Sequence, residues 1–102
     1  MSSLREIAKN SVLGNPIRFG IMLYLLPRGR ALFIDLQRVL ALTPGNLDSH
    51  LRTLEMKGYV KTKKVIKDRP RTAVYITSEG AKKTREYLKI LRETLEKMEG
   101  GG

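Results

Sequence analysis

Cysteine is absent from the 102 residues, so disulfides, thiolate metal centres and thiol redox chemistry are excluded. A single histidine, His50, cannot build an ordinary zinc centre with no cysteine or second histidine to join it. No run of about 18 apolar residues occurs, so no membrane span is expected. The opening Met1-Ser2-Ser3-Leu4-Arg5-Glu6 reads as polar helix and not as an export signal. Neither a nucleophile-and-base pair nor a phosphate-cradling glycine loop is found, so the expectation is a non-enzyme with no cofactor and no metal. Together these absences fit an intracellular, cytoplasmic setting.

What is abundant is positive charge. Twenty Lys and Arg against ten Asp and Glu give a formal net charge of +10, which favours a polyanionic partner. The excess is uneven: residues 1–58 carry a net +4, residues 59–77 a net +5 and residues 78–102 a net +1. Half of it therefore sits in one short segment, where Lys61, Lys63, Lys64, Lys67, Arg69 and Arg71 face only Asp68. A merely soluble basic protein would scatter that charge. The length is that of one domain, and 41% hydrophobic residues suffice for a small core.

Periodicity supplies the elements. Leu4, Ile7, Ala8, Ser11 and Val12 predict a first helix of about three turns, broken by Gly14-Asn15-Pro16. Asn15 can cap a second helix with Pro16 at its first position. That helix is apolar over much of its circumference and is expected at the centre of the core, stopped by Pro27. Arg28-Gly29-Arg30 is a turn, and Ala31-Leu32-Phe33 a brief strand. A third helix is expected over Ile34 to Ala41 with Leu36, Val39 and Leu40 inward and Asp35 in its first turn. Thr43 and Pro44 open a fourth helix that runs to Lys57 and ends at Gly58. Tyr59 to Ile66 and Thr72 to Ile76 read as a β-hairpin around the basic turn Lys67-Asp68-Arg69-Pro70-Arg71. From Thr77-Ser78-Glu79-Gly80 a long helix continues to about Met98.

Two short helices joined by a tight turn and followed by a basic hairpin form the winged helix-turn-helix plan. The fold class expected is α+β, mostly α, with a three-stranded wing and a long C-terminal dimerisation helix. The whole of 1–99 is one domain, with 14–77 the core winged helix, 1–13 and 78–99 dimerisation helices, and 100–102 a flexible tail.

At about 100° per residue, Leu47, Leu51 and Leu54 of the fourth helix share a narrow stripe that must face the core. The opposite side carries Gly45, Ser49, Arg52, Thr53 and Met56, with Asn46 and Asp48 on the flanks. It is slim and polar, as a helix entering the major groove requires, and Asn, Arg, Ser and Thr can pair with base edges. An ordinary amphipathic surface helix has the same pattern; the adjoining basic hairpin favours DNA. Candidate base readers are Thr43, Pro44, Gly45, Asn46, Ser49, Arg52 and Thr53. His50, between stripe and exposed face, is either packed or phosphate-facing. Asp48 would repel phosphates unless it accepts from a cytosine amino group or pairs with Arg52 one turn on.

In the hairpin, Lys61 and Lys63 alternate at strand spacing and share a face, while Val60, Val74 and Ile76 can cover the core from the other. Lys64, Lys67, Arg69 and Arg71 cluster towards the tip, which Pro70 stiffens. These six cations, with His50, Arg28 and Arg30, are the backbone-contact candidates; Arg28 and Arg30 either reach a phosphate or are simply exposed. Along the last helix Ala81, Thr84, Leu88, Leu91, Leu95 and Met98 recur at spacings of three and four, with Tyr87 and Ile90 beside them. This seam either joins a second copy, together with Leu4, Ile7 and Val12, or folds back over the chain's own core.

The run Leu42-Thr43-Pro44-Gly45-Asn46-Leu47-Asp48-Ser49-His50-Leu51-Arg52-Thr53-Leu54-Glu55-Met56-Lys57-Gly58-Tyr59-Val60 resembles the recognition helix and wing of MarR/ArsR-like winged-helix regulators. Ile76-Thr77-Ser78-Glu79-Gly80 resembles their exit from the wing, and Leu13-Gly14-Asn15-Pro16-Ile17-Arg18 the start of their second helix. The likeness spans nearly the whole chain and is greatest to short archaeal and bacterial members. It implies DNA binding through residues 43–57 and a wing over 61–72, with dimerisation through the terminal helices. Asp48 stands where many relatives carry Ser. The Cys and His ligands of metal-sensing members are missing, and no effector pocket is legible.

The leading expectation is thus a sequence-specific, homodimeric regulator of transcription bound to double-stranded DNA, nucleoid-associated, and a repressor that occupies its promoter. A non-specific architectural DNA-coating protein and a protein-interaction winged helix are the alternatives; the polar face of residues 45–53 argues for readout over coating.

Overall fold

The computed structural model describes residues 2–100; Met1, together with Gly101 and Gly102 of the expected tail, lies outside the described residues. The order of elements is α1 (Ser2–Lys9), α2 (Pro16–Arg28), β1 (Arg30–Leu32), α3 (Phe33–Leu40), α4 (Pro44–Met56), β2 (Val60–Ile66), β3 (Pro70–Ile76) and α5 (Ser78–Gly100). The strands form one antiparallel sheet in the order β1-β3-β2. This is the winged helix-turn-helix architecture expected, with the long C-terminal helix present.

Local chemistry sets the boundaries. Asn15 Oδ1 accepts from the backbone N–H groups of Ile17 and Arg18, both at 3.0 Å, and so caps α2. Ile21, Met22 and Leu25 of α2 are fully buried, as befits the central helix. Around them close Leu13, Leu36, Leu47, Leu54, Val60 and Val74. Each such side chain contributes about 1.5–3 kcal/mol by leaving water. The turn between α3 and α4 closes with Ala41 in the left-handed region at φ 54° and Leu42 N–H on Gln37 O at 3.0 Å.

Several boundaries differ from expectation. α1 ends at Lys9 because Asn10 turns its side chain onto the Leu13 N–H at 2.9 Å, diverting the chain from the helix. Val12 follows that turn into the core, where it is 6% exposed; it is thus not available to a second copy. α2 does not stop at Pro27 but runs one residue further, to Arg28. Pro27 removes only the N–H that would reach Leu23, near the helix end, and Gly29 (φ 82°) then closes the turn by donating to Leu25 O at 2.7 Å. β1 and α3 each begin one residue early. Val39 points to solvent at 54% exposure, since Leu36 and Leu40 suffice to anchor so short a helix. β3 begins at Pro70 rather than Thr72, because Ile66 pairs with Pro70 and Val65 with Arg71 in register. Tyr59 lies outside β2, and Gly100 is helical.

α5 starts where the wing returns to the core. Thr77 Oγ1 donates to Gly58 O at 2.6 Å and accepts from Gly80 N–H at 2.9 Å, so one hydroxyl joins the end of α4 to the start of α5. Thr77 N–H reaches Tyr59 O at 3.0 Å. A Cβ on Gly80 would run into the Tyr59 carbonyl and approach Met22 Cε at 3.0 Å, so this crossing tolerates no side chain. Beyond it, α5 spans about 34 Å at its 23 residues, and α1 packs along it. The molecule measures 56 × 25 × 21 Å, with a radius of gyration of 15.2 Å, against about 13 Å for a compact chain of this length.

Gly80→Ala is expected to lower unfolding free energy by about 1–3 kcal/mol through this overpacking, read as a reduced urea midpoint. An equal change at Gly45, where a Cβ meets open space, should leave the midpoint nearly unmoved or raise it.

Candidate nucleic-acid interface

α4 is held by one face and free on the other. Thr43 Oγ1 accepts from Asn46 N–H at 3.2 Å, and Pro44 occupies the first turn. Leu47, Leu51 and Leu54 are buried; Gly45, Asn46, Asp48, Ser49, Arg52 and Met56 are exposed. Thr53 is half-buried, its hydroxyl 3.5 Å from Ser49 O. Arg52 Nε lies 3.0 Å from Asp48 Oδ2, so the pair along the helix is formed and Asp48 is neutralised by its own helix. In this exposed setting the pair is worth only about 0.3–0.5 kcal/mol, little enough for Arg52 to be drawn to a stronger acceptor.

The register of the wing divides its cations by face. Thr62 stands opposite Val74 and Lys64 opposite Thr72, on the side that covers α4 and the core. Lys61 and Lys63 stand opposite Tyr75 and Ala73 on the other side, with Lys63 Nζ 5.4 Å from the Tyr75 ring centre. Lys64 Nζ donates to Thr72 Oγ1 at 2.9 Å, which holds its charge along the α4 side of the hairpin. Lys67 and Arg69 are exposed at the tip. Arg71 is only partly exposed: Nη2 lies 3.3 Å from Asp68 Oδ1, and its Nε is buried without a hydrogen-bond partner. The N–H of its own backbone, and then Arg71, hold the Asp68 carboxyl below its ordinary range. Arg71 is thus committed to the shape of the tip.

Arg28 curls back, Nη1 donating to Tyr24 O at 2.8 Å with the guanidinium carbon 3.8 Å over the Tyr24 ring; it caps its own helix. Arg30 is exposed on β1, opposite Tyr75. His50 is half-buried, with Nδ1 3.1 Å from Arg18 Nη1.

Two positioning contacts were not foreseen from the sequence. Glu55 Oε2 accepts from Thr62 Oγ1 at 3.0 Å and from its N–H at 3.4 Å, fastening β2 to the last turn of α4. Arg18 donates through Nε to Val12 O at 3.0 Å and through Nη2 to Ser11 O at 2.9 Å, besides meeting His50. A charge in the first turn of a largely apolar central helix was the available signal, since such a group must find partners.

Of the seam residues, Thr84 and Tyr87 are buried within the chain, Thr84 bonding Gly80 O at 2.7 Å and Tyr87 packing edge-on to Phe19 at 5.2 Å. Both therefore serve internal packing rather than a second copy. Ile7, Ala81, Leu88 and Leu91 are half-buried, and Leu4, Leu95 and Met98 are exposed, the last at 75%. No helix of the described residues is long and apolar enough to cross a membrane.

Residues 17–95 match the family model described as winged helix DNA-binding domain. The chain is similar to the transcriptional regulator homologue protein from Pyrococcus horikoshii OT3, at 53% identity and a TM-score of 0.92, covering 96% of this chain and 98% of that one. An uncharacterized protein of Methanocaldococcus jannaschii is 37% identical over 78 residues, 76% of this chain and 85% of its own length. The transcriptional regulator BldR from Sulfolobus solfataricus matches in fold, at 24% identity and a TM-score of 0.73 over 95% of this chain and 71% of that one.

Burial, and then the Arg18 charge, lower the His50 pKa from 6.5. The unfolded chain therefore takes up a proton before the folded one does. The stability this gives is complete above pH 6.5 and is lost as pH falls through the folded pKa. NMR titration of the single histidine should give a midpoint below 6.5. Between pH 7 and pH 5, wild type should lose more stability than His50→Gln; equal losses would contradict this coupling.

Proposed function

The chain belongs to the winged helix DNA-binding domain family, and from that premise we propose that it is a homodimeric, sequence-specific regulator of transcription acting on double-stranded DNA. The observation that carries this reading is the join of Thr62 to Glu55, which sets the slim polar face of α4 beside the cationic wing. α4 enters the major groove, a channel about 12 Å wide, and reads bases through Asn46, Ser49, Arg52 and Thr53, with Thr43, Pro44 and Gly45 at its leading end. Lys64, Lys67 and Arg69 lie along the flanking backbone. The resemblance of this chain to a protein named as a transcriptional regulator homologue, at 53% identity, supports regulation over a purely structural use of the fold.

The dimer rests on α1 and α5. An elongate chain whose terminal helices leave Leu4, Leu95 and Met98 in water has apolar surface to hide, and a second copy across a two-fold axis hides it. That symmetry would place two α4 helices about 34 Å apart, one DNA turn. Occupying a promoter in this way makes the protein a repressor without any catalytic step, working on the nucleoid in the cytoplasm.

Selection of bound duplexes from a random pool should return an inverted repeat with half-sites one turn apart. Random DNA bound as tightly as the best selected site, at physiological salt, would instead make this a coating protein. Neutralising Lys64, Lys67 and Arg69 together should weaken binding to all sequences and flatten the salt slope by about 0.9 for every phosphate that no longer meets a cation. Neutralising Lys61 and Lys63, on the far face, should do less. Asn46→Ala or Ser49→Ala should change the preferred base instead, by about 1–3 kcal/mol at one position. Leu95→Glu with Met98→Glu should yield monomers by light scattering; a monomeric wild type would end the dimer proposal.

A further inference from the structure

The geometry points to Arg18 as a positioning residue for DNA binding: it fixes His50 in the neutral tautomer that carries its proton on Nε2, and that N–H donates to a DNA phosphate on the wall of the groove. This rests on the DNA-binding reading above and adds to it an assigned donor and the group that aims it.

The tautomer follows from the partner. Arg18 Nη1 offers only N–H groups and lies 3.1 Å from His50 Nδ1, so Nδ1 must present its lone pair and the ring proton must sit on Nε2. The guanidinium cannot drift away, because Nε and Nη2 are fastened to the carbonyls of Val12 and Ser11 at 3.0 and 2.9 Å. Three donors of one rigid fork thus meet three acceptors. The lowered histidine pKa agrees with a ring kept neutral. Among the described residues Nε2 has no hydrogen-bond partner, and it is not one of the buried unpartnered atoms, so it opens to solvent.

Position on α4 selects the ligand. The face directly away from the Leu47–Leu51–Leu54 stripe meets the groove floor, where base edges lie. His50 is about 65° around the helix from the middle of that stripe, at the flank, and a flank residue of an inserted helix meets the wall. The wall is phosphate, and contacts there position a protein without reading sequence. A neutral N–H donor suits a phosphate oxygen and, unlike a lysine, is short and has a fixed direction. Asp48, the nearest acid on the exposed side of α4, is paired with Arg52 and does not compete for it.

The test uses the full chain and a duplex carrying its best selected site. Nitrogen-detected imidazole NMR of wild type should show Nδ1 unprotonated and Nε2 protonated, with the Nε2–H signal moving on addition of duplex. His50→Gln, whose amide nitrogen stands near the Nε2 position, should bind nearly as wild type. His50→Phe should lose roughly tenfold or more in affinity, for all sequences alike. Arg18→Met should mix the tautomers and weaken binding in wild type but not in the His50→Gln background, with thermal unfolding confirming that each variant is folded. Four results overturn the proposal: a proton on Nδ1 in wild type; an Nε2–H signal that ignores bound duplex; His50→Phe binding undiminished; or Arg18→Met weakening both backgrounds equally, which is the mark of a merely structural arginine. Failure of wild type itself to bind any duplex is a separate outcome, and it sinks the DNA reading along with this one.

Discussion

Burial of Leu47, Leu51 and Leu54 is the constraint from which the rest of the surface follows. These side chains sit on one stripe of a 13-residue helix and are buried against α2 and β2. At about 1.5–3 kcal/mol each, they outweigh any preference of the polar side chains for a particular neighbour. Once they are inside, the rotation of α4 about its axis is settled, and Asn46, Ser49 and Arg52 can only face outward. Its far end is then fastened by Glu55 on Thr62 and by Thr77 on Gly58. The hairpin consequently leaves the core at a defined angle to the helix, and the two surfaces that would meet DNA are set by packing rather than by one another.

Charge follows the same logic. Three acids near the interface are already matched by arginines: Asp48 by Arg52, Asp68 by Arg71, Asp35 by Arg38 at 3.7 Å. Each pair is exposed on at least one side and contributes little to stability. Such contacts, ion pairs and bonds to carbonyls alike, divide the cations into those with an internal task and those without. Arg71, Arg18 and Arg28 have such tasks; Lys67 and Arg69 are exposed, and Lys64 is held only by a hydroxyl. A net charge of +10 therefore overstates the cations available to a polyanion, and the strand register decides which ones count.

Much of the fold was legible in the residues because local signals and burial agree. Asn15-Pro16 and Thr43-Pro44 announce two helix starts, and the leucine spacing of α4 shows its inner face directly. Gly58 marks a stop with φ 78°. The errors arise where a side chain overrules periodicity. Asn10 ends α1 by bonding Leu13 N–H, although Ser11 and Val12 keep the helical spacing, and Val12 is drawn inside. Pro27 is tolerated because it falls in a last turn that Gly29 closes. Thr84 and Tyr87 belong to the apolar seam by spacing, yet both are buried within the chain, Tyr87 against Phe19 of α2, and no one-dimensional pattern distinguishes the two destinations. In the site, the cationic cluster was visible, and strand spacing already set Lys61 and Lys63 on the face away from Val60; the place of Lys64 on the α4 side, beside Thr62 and Thr72, was not read. Parity along β2 separates Lys61 and Lys63 from Lys64, and Thr62 on Glu55 fixes the second set against α4.

The contacts of Arg18 bear on how the two halves of the molecule are joined. Its guanidinium spans the turn after α1 and the flank of α4, so the base of the terminal-helix arm and the helix proposed to enter the groove share one rigid group. α5 is coupled to the same core through Gly80 against the Tyr59 carbonyl and Met22, a crossing too close to slide. Both terminal helices are therefore locked to the α2–α4 body by contacts that close packing cannot deform by degrees. In a dimer built on α1 and α5, the separation of the two reading helices would then be a property of the folded chain rather than of the DNA. Such a dimer would discriminate by half-site spacing as well as by base sequence, and would need no hinge to do so.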